Sequence, residues 1–309
     1  MFEHFYRVSN VVLKVEHDGD ELFTALAEDL KAHAIPASAQ VDCTAHLKSG
    51  CKEFRLPEKS VLVGHWPKAR EARYQRNGSL YTERAGEALV ATDFQNRRVD
   101  AHYSTSNKAV RLLARNALKW LIIKTAEAHS NLFLHASSVV FANRTVLFAG
   151  HSGCGKSSCL LRLMAAGGQV IADDVTLVHE HRLVPFNFRL HLKGDIARRQ
   201  NLDPSHDRYE LGTTRPEVKQ GIDYVIFPQV WHHETSETKA ATPHEALRRL
   251  MEIYVHEASW NAYPEDAAEY EQQYGELLSR AQCFEFFAGV HEREVTDTLL
   301  DFFTMQEHG

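Results

Sequence analysis

No stretch of this 309-residue chain is long and apolar enough to cross a bilayer; the nearest, "LKWLIIKTAEAH", is short and interrupted by charges. A basic block is also missing. The net charge of −6 is spread along the sequence, which excludes the clustered cationic face of a nucleic-acid scaffold. The start, "MFEHFYRVSN", has neither the basic opening nor the uninterrupted apolar core of a secretion signal. The five cysteines are odd in number and show no C-x-x-C spacing, so neither a disulfide frame nor a zinc ribbon is expected. One of them, Cys154, lies inside a glycine-rich loop, which suits a reducing cytoplasm. The 19 histidines scatter through polar segments such as "HEHR" and "WHHET" without metal-ligand spacing. No repeat or low-complexity segment is present. What remains is a composition ordinary for a globular protein, 44% apolar and 25% charged, with length for one large domain or two.

The first hundred residues read as an α+β region. "NVVLKVEH" alternates like a strand, and "DELFTALAEDLKAH" carries Leu22, Ala25, Leu26 and Leu30 at helical spacing. "ARYQRNGSLYTER" reads as a hairpin turning at Asn77-Gly78, a pair that favours the positive φ angles of a tight turn. A second hairpin is expected to turn near Asn96. A long amphipathic helix follows, from about Lys108 to Ala128, with Val110, Leu113, Ala117, Leu121 and Ile122 on its apolar stripe. From Leu132 strands dominate, and the C-terminal third alternates helix and strand. The expected division is 1–105 and 106–309.

The segment "GHSGCGKSS" satisfies G-x-x-x-x-G-K-[ST] through Gly150, Gly155, Lys156 and Ser157. Glycines, Gly153 among them, let the backbone turn its N–H groups toward phosphate oxygens, and the helix that begins here adds the positive end of its dipole. Ser152, Cys154 and Ser158 complete the expected nucleotide loop. Lys156 is placed to neutralise β- and γ-phosphate charge, and Ser157 to ligate Mg²⁺. The context is the one this motif needs: "TVLFAG" before it reads as a buried strand and "SSCLLRLMAAGG" after it as a short helix closed by glycine.

Two neighbours extend this reading. A helix from Ser157 to Ala166 advances about 15 Å, and the strand Gln169 to Asp173 returns about 16 Å. Asp173 and Asp174 therefore come back level with the loop, where one can serve Mg²⁺ and the other can take a proton from an attacking hydroxyl. "LFLHASSVVFA" and "RTVLFAG" read as a hairpin turning at Ala142-Asn143-Arg144, which sets His135 across from His151 or Ser152. An imidazole there can hydrogen-bond the transferring phosphoryl group or orient an aspartate.

The stretch "HASSVVFANRTVLFAGHSGCGKSSCLLRLMAAGGQVIADD" resembles the kinase domain of HPr kinase/phosphorylase and of HPr-kinase-related proteins, a group that includes peptide-tailoring kinases. The resemblance spans Leu132 to Leu177, with a weaker match in "IDYVIFP" and "ATPHEALRRLM". It implies an α/β fold with a P-loop kinase core of the HPr kinase and phosphoenolpyruvate carboxykinase type, preceded by the α+β region. It implies ATP- and Mg²⁺-dependent phosphorylation of a serine on a protein or peptide. By motif position Lys156 and Ser157 become phosphate and Mg²⁺ ligands, Asp173 the proton acceptor, Asp174 the metal-side carboxylate and His135 the active-site histidine. The chain departs from the family where a further acidic metal ligand stands in an "E-I-R-G"-type segment. Here the sequence is "FNFRLHLKGDIARR", with Asp195 as a substitute carboxylate and Arg189, Lys193, Arg198 and Arg199 as cations for phosphate. That departure fits a specialised protein or peptide kinase better than a carbon-catabolite regulator.

Two other functions use the same loop: a kinase acting on a small-molecule hydroxyl, and a non-catalytic nucleotide-binding regulator. The latter has no use for a proton-accepting aspartate. An "L-S-G-G-Q"-like stretch and an "N-K-x-D" guanine reader are both missing, which excludes ABC-type ATPases and Ras-like GTPases. Neither nucleic acid nor membrane is an expected partner, and the oligomeric state is open.

Overall fold

Period-two alternation of apolar and polar residues builds most of the first 103 residues into one sheet. In the computed structural model, which describes residues 1–19, 21–37, 40–184, 221–261 and 267–307, the chain divides into two compact units, Met1–Ser130 and Asn131–Gly309. The first holds strands β1 (Phe2–Val8), β2 (Val11–His17), β3 (Ala34–Ile35), β4 (Cys43–Lys48), β5 (Val61–Trp66), β6 (Glu71–Arg76), β7 (Ser79–Arg84), β8 (Ala88–Asp93) and β9 (Arg98–Tyr103). They form one nine-stranded sheet in the order β3-β1-β2-β4-β9-β8-β7-β6-β5. Its β6–β7 hairpin turns at Asn77 and Gly78, both at positive φ, as the dipeptide predicts.

Helices α1 (Glu21–Leu30) and α2 (Lys108–Glu127) belong to this unit. Asn107 caps α2, its side-chain oxygen accepting from Ala109 N and Val110 N at 3.0 and 3.1 Å. The buried stripe runs through Val110, Leu113, Ala114, Leu118, Leu121 and Ile122; Ala117 is only half-buried. This stripe packs on β2, β4, β8 and β9, and Arg115 pairs with Asp29 of α1 at 3.3 Å. The sequence reading opens the second region at residue 106; the division instead falls after α2, because the helix's apolar face is completed by the sheet before it.

The second unit contains β10 (Asn131–Leu134), β11 (Ala136–Phe141), β12 (Arg144–Ala149), α3 (Lys156–Ala165), β13 (Gln169–Ala172), β14 (Thr176–His179), β15 (Arg182–Val184), β16 (Tyr224–Val230), β17 (Glu237–Ala240), α4 (Pro243–Asn261), α5 (Ala267–Leu278), β18 (Gln282–Ala288) and α6 (Glu292–Glu307). Six strands make a mixed sheet in the order β13-β11-β12-β16-β18-β17, and β10, β14 and β15 make a smaller one. "LFLHASSVVFA" is thus two strands in two sheets, broken at His135. The β11–β12 hairpin pairs Ala136 with Ala149 and Phe141 with Arg144. Its turn is the two residues Ala142 and Asn143, both at positive φ, rather than three, which moves the register from the expected one. His135 lies just outside this ladder.

β12 runs parallel to β16, and β16 to β18; their C-terminal ends, and that of β13, face one edge of the sheet. Both faces are covered. On one, Leu147, Val225 and Phe227 pack with Leu250 and Tyr254 of α4 and Tyr270 and Tyr274 of α5. On the other, Phe148, Ile226 and Phe286 pack with Leu160 and Leu163 of α3 and Leu299 and Phe303 of α6. Each such fully buried side chain contributes about 1.5–3 kcal/mol. Among the described residues no helix is long and apolar enough to cross a membrane.

Candidate functional site

β12 ends at Ala149 and α3 begins at Lys156, which leaves residues 150–155, three of them glycine, as a tight loop. Gly153 and Gly155 adopt φ of +87° and +111°, a region that only glycine enters freely. Gly150 is required for another reason: a Cβ there would stand 2.5 Å from Cys154 Sγ. Cys154 is thus the side chain folded over the start of the loop. Ser152 is exposed, and Ser158 sits half-buried in the first turn of α3. The N–H groups of that turn, Ser157 and Ser158 among them, have no intrahelical acceptor, which makes the helix start a favourable seat for an anion.

Lys156 is only 6% exposed. Its ammonium donates to Gly150 O at 2.7 Å and His151 O at 3.0 Å, and lies 3.1 Å from His135 Nε2. An ammonium has only donors, so Nε2 accepts and the ring hydrogen is on Nδ1. That nitrogen lies 3.0 Å from Asp174 O and 3.5 Å from Asp174 Oδ1. A chain of polar contacts therefore links Lys156 through His135 to Asp174.

The two adjacent aspartates have different surroundings. Asp173 is 6% exposed and accepts from Ser157 Oγ at 3.0 Å and from Ser137 Oγ at 2.5 Å. Burial pushes its carboxyl above the ordinary value of 3.8; the Ser137 hydrogen bond opposes that, and the charge of Asp174 adds to it. The side chain of Asp174 is 50% exposed, and its backbone takes a φ of +69°, which turns consecutive side chains to different sides. Lys156, Ser157, His135, Asp173 and Asp174 thus converge at one rim of the loop.

Ser137 is a member of this cluster that the motif did not single out. Its signal was a pair of serines, Ser137 and Ser138, in an otherwise apolar strand; both are fully buried. Ser138 Oγ accepts from Thr176 Oγ1 at 3.3 Å, and Thr176 also bonds Ala136 O. Asp195, Arg189, Lys193, Arg198 and Arg199 lie outside the described residues.

The cluster offers hard oxygen donors suited to Mg²⁺: the Ser157 hydroxyl and the Asp173 carboxylate, side by side at a helix N-terminus. Magnesium is held by one or two protein oxygens together with substrate phosphates, so the donor set fits. Among the described residues no group of three or more His, Cys, Asp or Glu side chains forms a metal cage.

No protein-family model matches the chain, and no curated protein matches it. Among solved structures it is similar to the Hpr(Ser) kinase/phosphatase from Coxiella burnetii, with 13% identity over 58% of this chain and 99% of that one, at a TM-score of 0.28. A superposition this loose fixes no residue equivalence. The chain itself is a mixed α/β protein with three sheets among its described residues.

Proposed function

We propose that the chain is an ATP- and Mg²⁺-dependent kinase that transfers the γ-phosphate to a hydroxyl, a serine of a protein or peptide. One observation carries the reading: Ser157 and Asp173 meet at the start of α3 while His135 joins Lys156 to Asp174 on the same rim. A nucleotide-binding regulator needs the first half of that arrangement and has no use for the second.

Within this reading the loop N–H groups hold the β- and γ-phosphates, and the Lys156 ammonium, whose hydrogens go to Gly150 O, His151 O and His135 Nε2, offsets their charge. Ser157 and Asp173 would hold Mg²⁺, which would supply charge neutralisation at the phosphates. The sequence resemblance gave Asp173 the part of proton acceptor and Asp174 the metal side. Burial and hydrogen bonding favour the reverse. Asp173 is enclosed and fixed to the Ser157 hydroxyl, whereas the half-exposed Asp174 is open to an incoming substrate. The acceptor oxygen attacks the γ-phosphorus, the bond to the bridging oxygen breaks to release ADP, and the hydroxyl proton passes to an Asp174 carboxylate oxygen. His135 holds Asp174 in place through its Nδ1 hydrogen.

The test is incubation of the full chain with γ-labelled ATP, Mg²⁺ and cell extract, with Lys156→Ala as the control. Label on a polypeptide, lost in the variant, supports the reading. Label confined to a small solute selects the small-molecule kinase, and equal signal from both proteins removes the kinase reading.

A further inference from the structure

A carboxylate that ligates a metal is itself held by a further hydrogen bond, which fixes its orientation. Asp173 has two partners of this kind. Ser137 Oγ donates to Oδ1 at 2.5 Å, and Ser157 Oγ lies 3.0 Å from Oδ1 and 3.3 Å from Oδ2. Oδ1 therefore carries the closer contacts, and among the described residues Oδ2 has only the longer approach of Ser157. The two serines are not equivalent. Ser157 stands half-buried in the first turn of α3 and belongs to the proposed ligand set, so its oxygen is engaged when the site is loaded. Ser137 is fully buried on β11 and stays where the strand holds it.

The backbone is shaped to bring Ser137 and Asp173 together. Along β11 and β13, Val140 faces Gln169 and Val139 faces Val170, but the next pair is Ser138 with Ala172. Ile171 is the extra residue, a bulge that advances β13 by one position. Continued one step, the shifted register sets Asp173 opposite Ser137. Without the bulge Asp173 would face Ala136, which belongs to the other face of the sheet with Leu147 and Val225. A bulge beside a functional site re-aims a side chain, and here that side chain is the carboxylate.

A buried serine in a strand needs no functional role if its hydroxyl finds a partner nearby. Ser138 is such a residue. It is as deeply buried as Ser137, its Oγ lies 3.3 Å from Thr176 Oγ1, and among the described residues it bonds to no member of the site. Ser137 instead spends its one hydrogen on the aspartate. We infer that Ser137 is a positioning residue: its hydroxyl, set opposite Asp173 by the bulge, holds Oδ1 and leaves Oδ2 as the oxygen for Mg²⁺. The inference rests on the nucleotide and Mg²⁺ reading above and adds what orients the carboxylate in it.

Calorimetry on the full chain separates the two, with ATP titrated once in Mg²⁺ and once in EDTA. Wild type is expected to bind ATP more tightly in Mg²⁺. Ser137→Ala is expected to lose about tenfold of the affinity measured in Mg²⁺ and to keep that measured in EDTA. Ser137→Cys, of similar shape and with a far weaker donor, is expected to lose in the same direction, and it carries the test if the alanine variant does not fold. Ser138→Ala, an equal truncation one residue along the strand, is expected to leave both affinities at wild-type values. Unchanged affinity in Mg²⁺ for the Ser137 variants would overturn the positioning role and leave the kinase reading standing. Equal losses in Mg²⁺ and EDTA, or a matching loss in Ser138→Ala, would also overturn it, as they mark a structural role. Wild type that binds ATP equally in Mg²⁺ and EDTA would remove the Mg²⁺ reading, and wild type that does not bind ATP would remove the nucleotide reading; the positioning role goes with either.

Discussion

The nine-stranded sheet of the first unit lays its apolar face under α2, and across the other runs a row of charged side chains. Glu16, His46 and Asp100 stand side by side on β2, β4 and β9, with His46 Nε2 3.1 Å from Glu16 and Nδ1 3.2 Å from Asp100. The six-stranded sheet of the second unit is apolar on both faces, covered by α4 and α5 on one and by α3 and α6 on the other. Charges and hydroxyls have few places on such a sheet except its edges and strand ends. They collect where parallel strands end together, which is where open α/β sheets bind ligands. The same kinds of residue that form a surface ladder in one unit thus form a convergent cluster in the other.

The contrast is broken most directly at Asp174. Asp174→Asn is expected to lower phosphotransfer by about 10²–10⁴-fold with ATP affinity kept, measured by single-turnover transfer and calorimetry. Transfer at the wild-type rate would reduce the rim to another surface ladder. Phe148→Ala, in the doubly covered sheet, is expected to cost about 3–5 kcal/mol in urea unfolding, since Phe148 is fully buried between β12 and its helix cover. A cost below about 1 kcal/mol would show that this face is loosely packed.

Asp173→Asn sharpens the comparison through pH. Because burial raises its folded value, the stability contributed by the protonated form is complete below about pH 3.8 and is lost as pH rises through the raised value. Once the pH exceeds the raised value the wild type carries a buried charge that the variant does not. The variant is expected to gain in melting temperature over wild type as the pH rises through that value, with the difference shrinking as the pH falls toward 3.8, while losing transfer activity. A lower melting temperature at pH 7 would mean that the Ser137 and Ser157 hydrogen bonds outweigh desolvation. The smallest effect belongs to the ladder: His46→Gln is expected to change stability by less than about 1 kcal/mol, as partly exposed ion pairs do. A larger loss in urea unfolding would show the two polar clusters to be more alike than their settings suggest.

Much of this was legible where the signal is local. Asn77-Gly78 marked its hairpin, the apolar stripe placed α2 from about Lys108, and helix and strand lengths brought Asp173 and Asp174 back to the loop. Four features were hidden. The break at His135 lies inside an apolar run with no glycine or proline to mark it. The two-residue turn at Ala142-Asn143 requires positive φ at an alanine, which no propensity rule suggests. The different settings of the two aspartates arise from Ser137 on a neighbouring strand and from the turned backbone at Asp174, and neither is a property of the dipeptide. The position of Trp231 beside Phe287 depends on pairing β16 with β18, a contact distant in sequence.

That distance also bears on the order in which the second unit can fold. The rim from His135 to Asp174 is built by one tight hairpin, one short helix and a return strand, all closing short loops. The opposite side needs β16 to reach Val146 from Tyr224, a closure that costs more entropy and forms more slowly. The half from His135 to Asp174 is thus free to assemble before its neighbour is in place. Pulse-labelled amide exchange during refolding would then protect β11 and β12 ahead of β16 and β18.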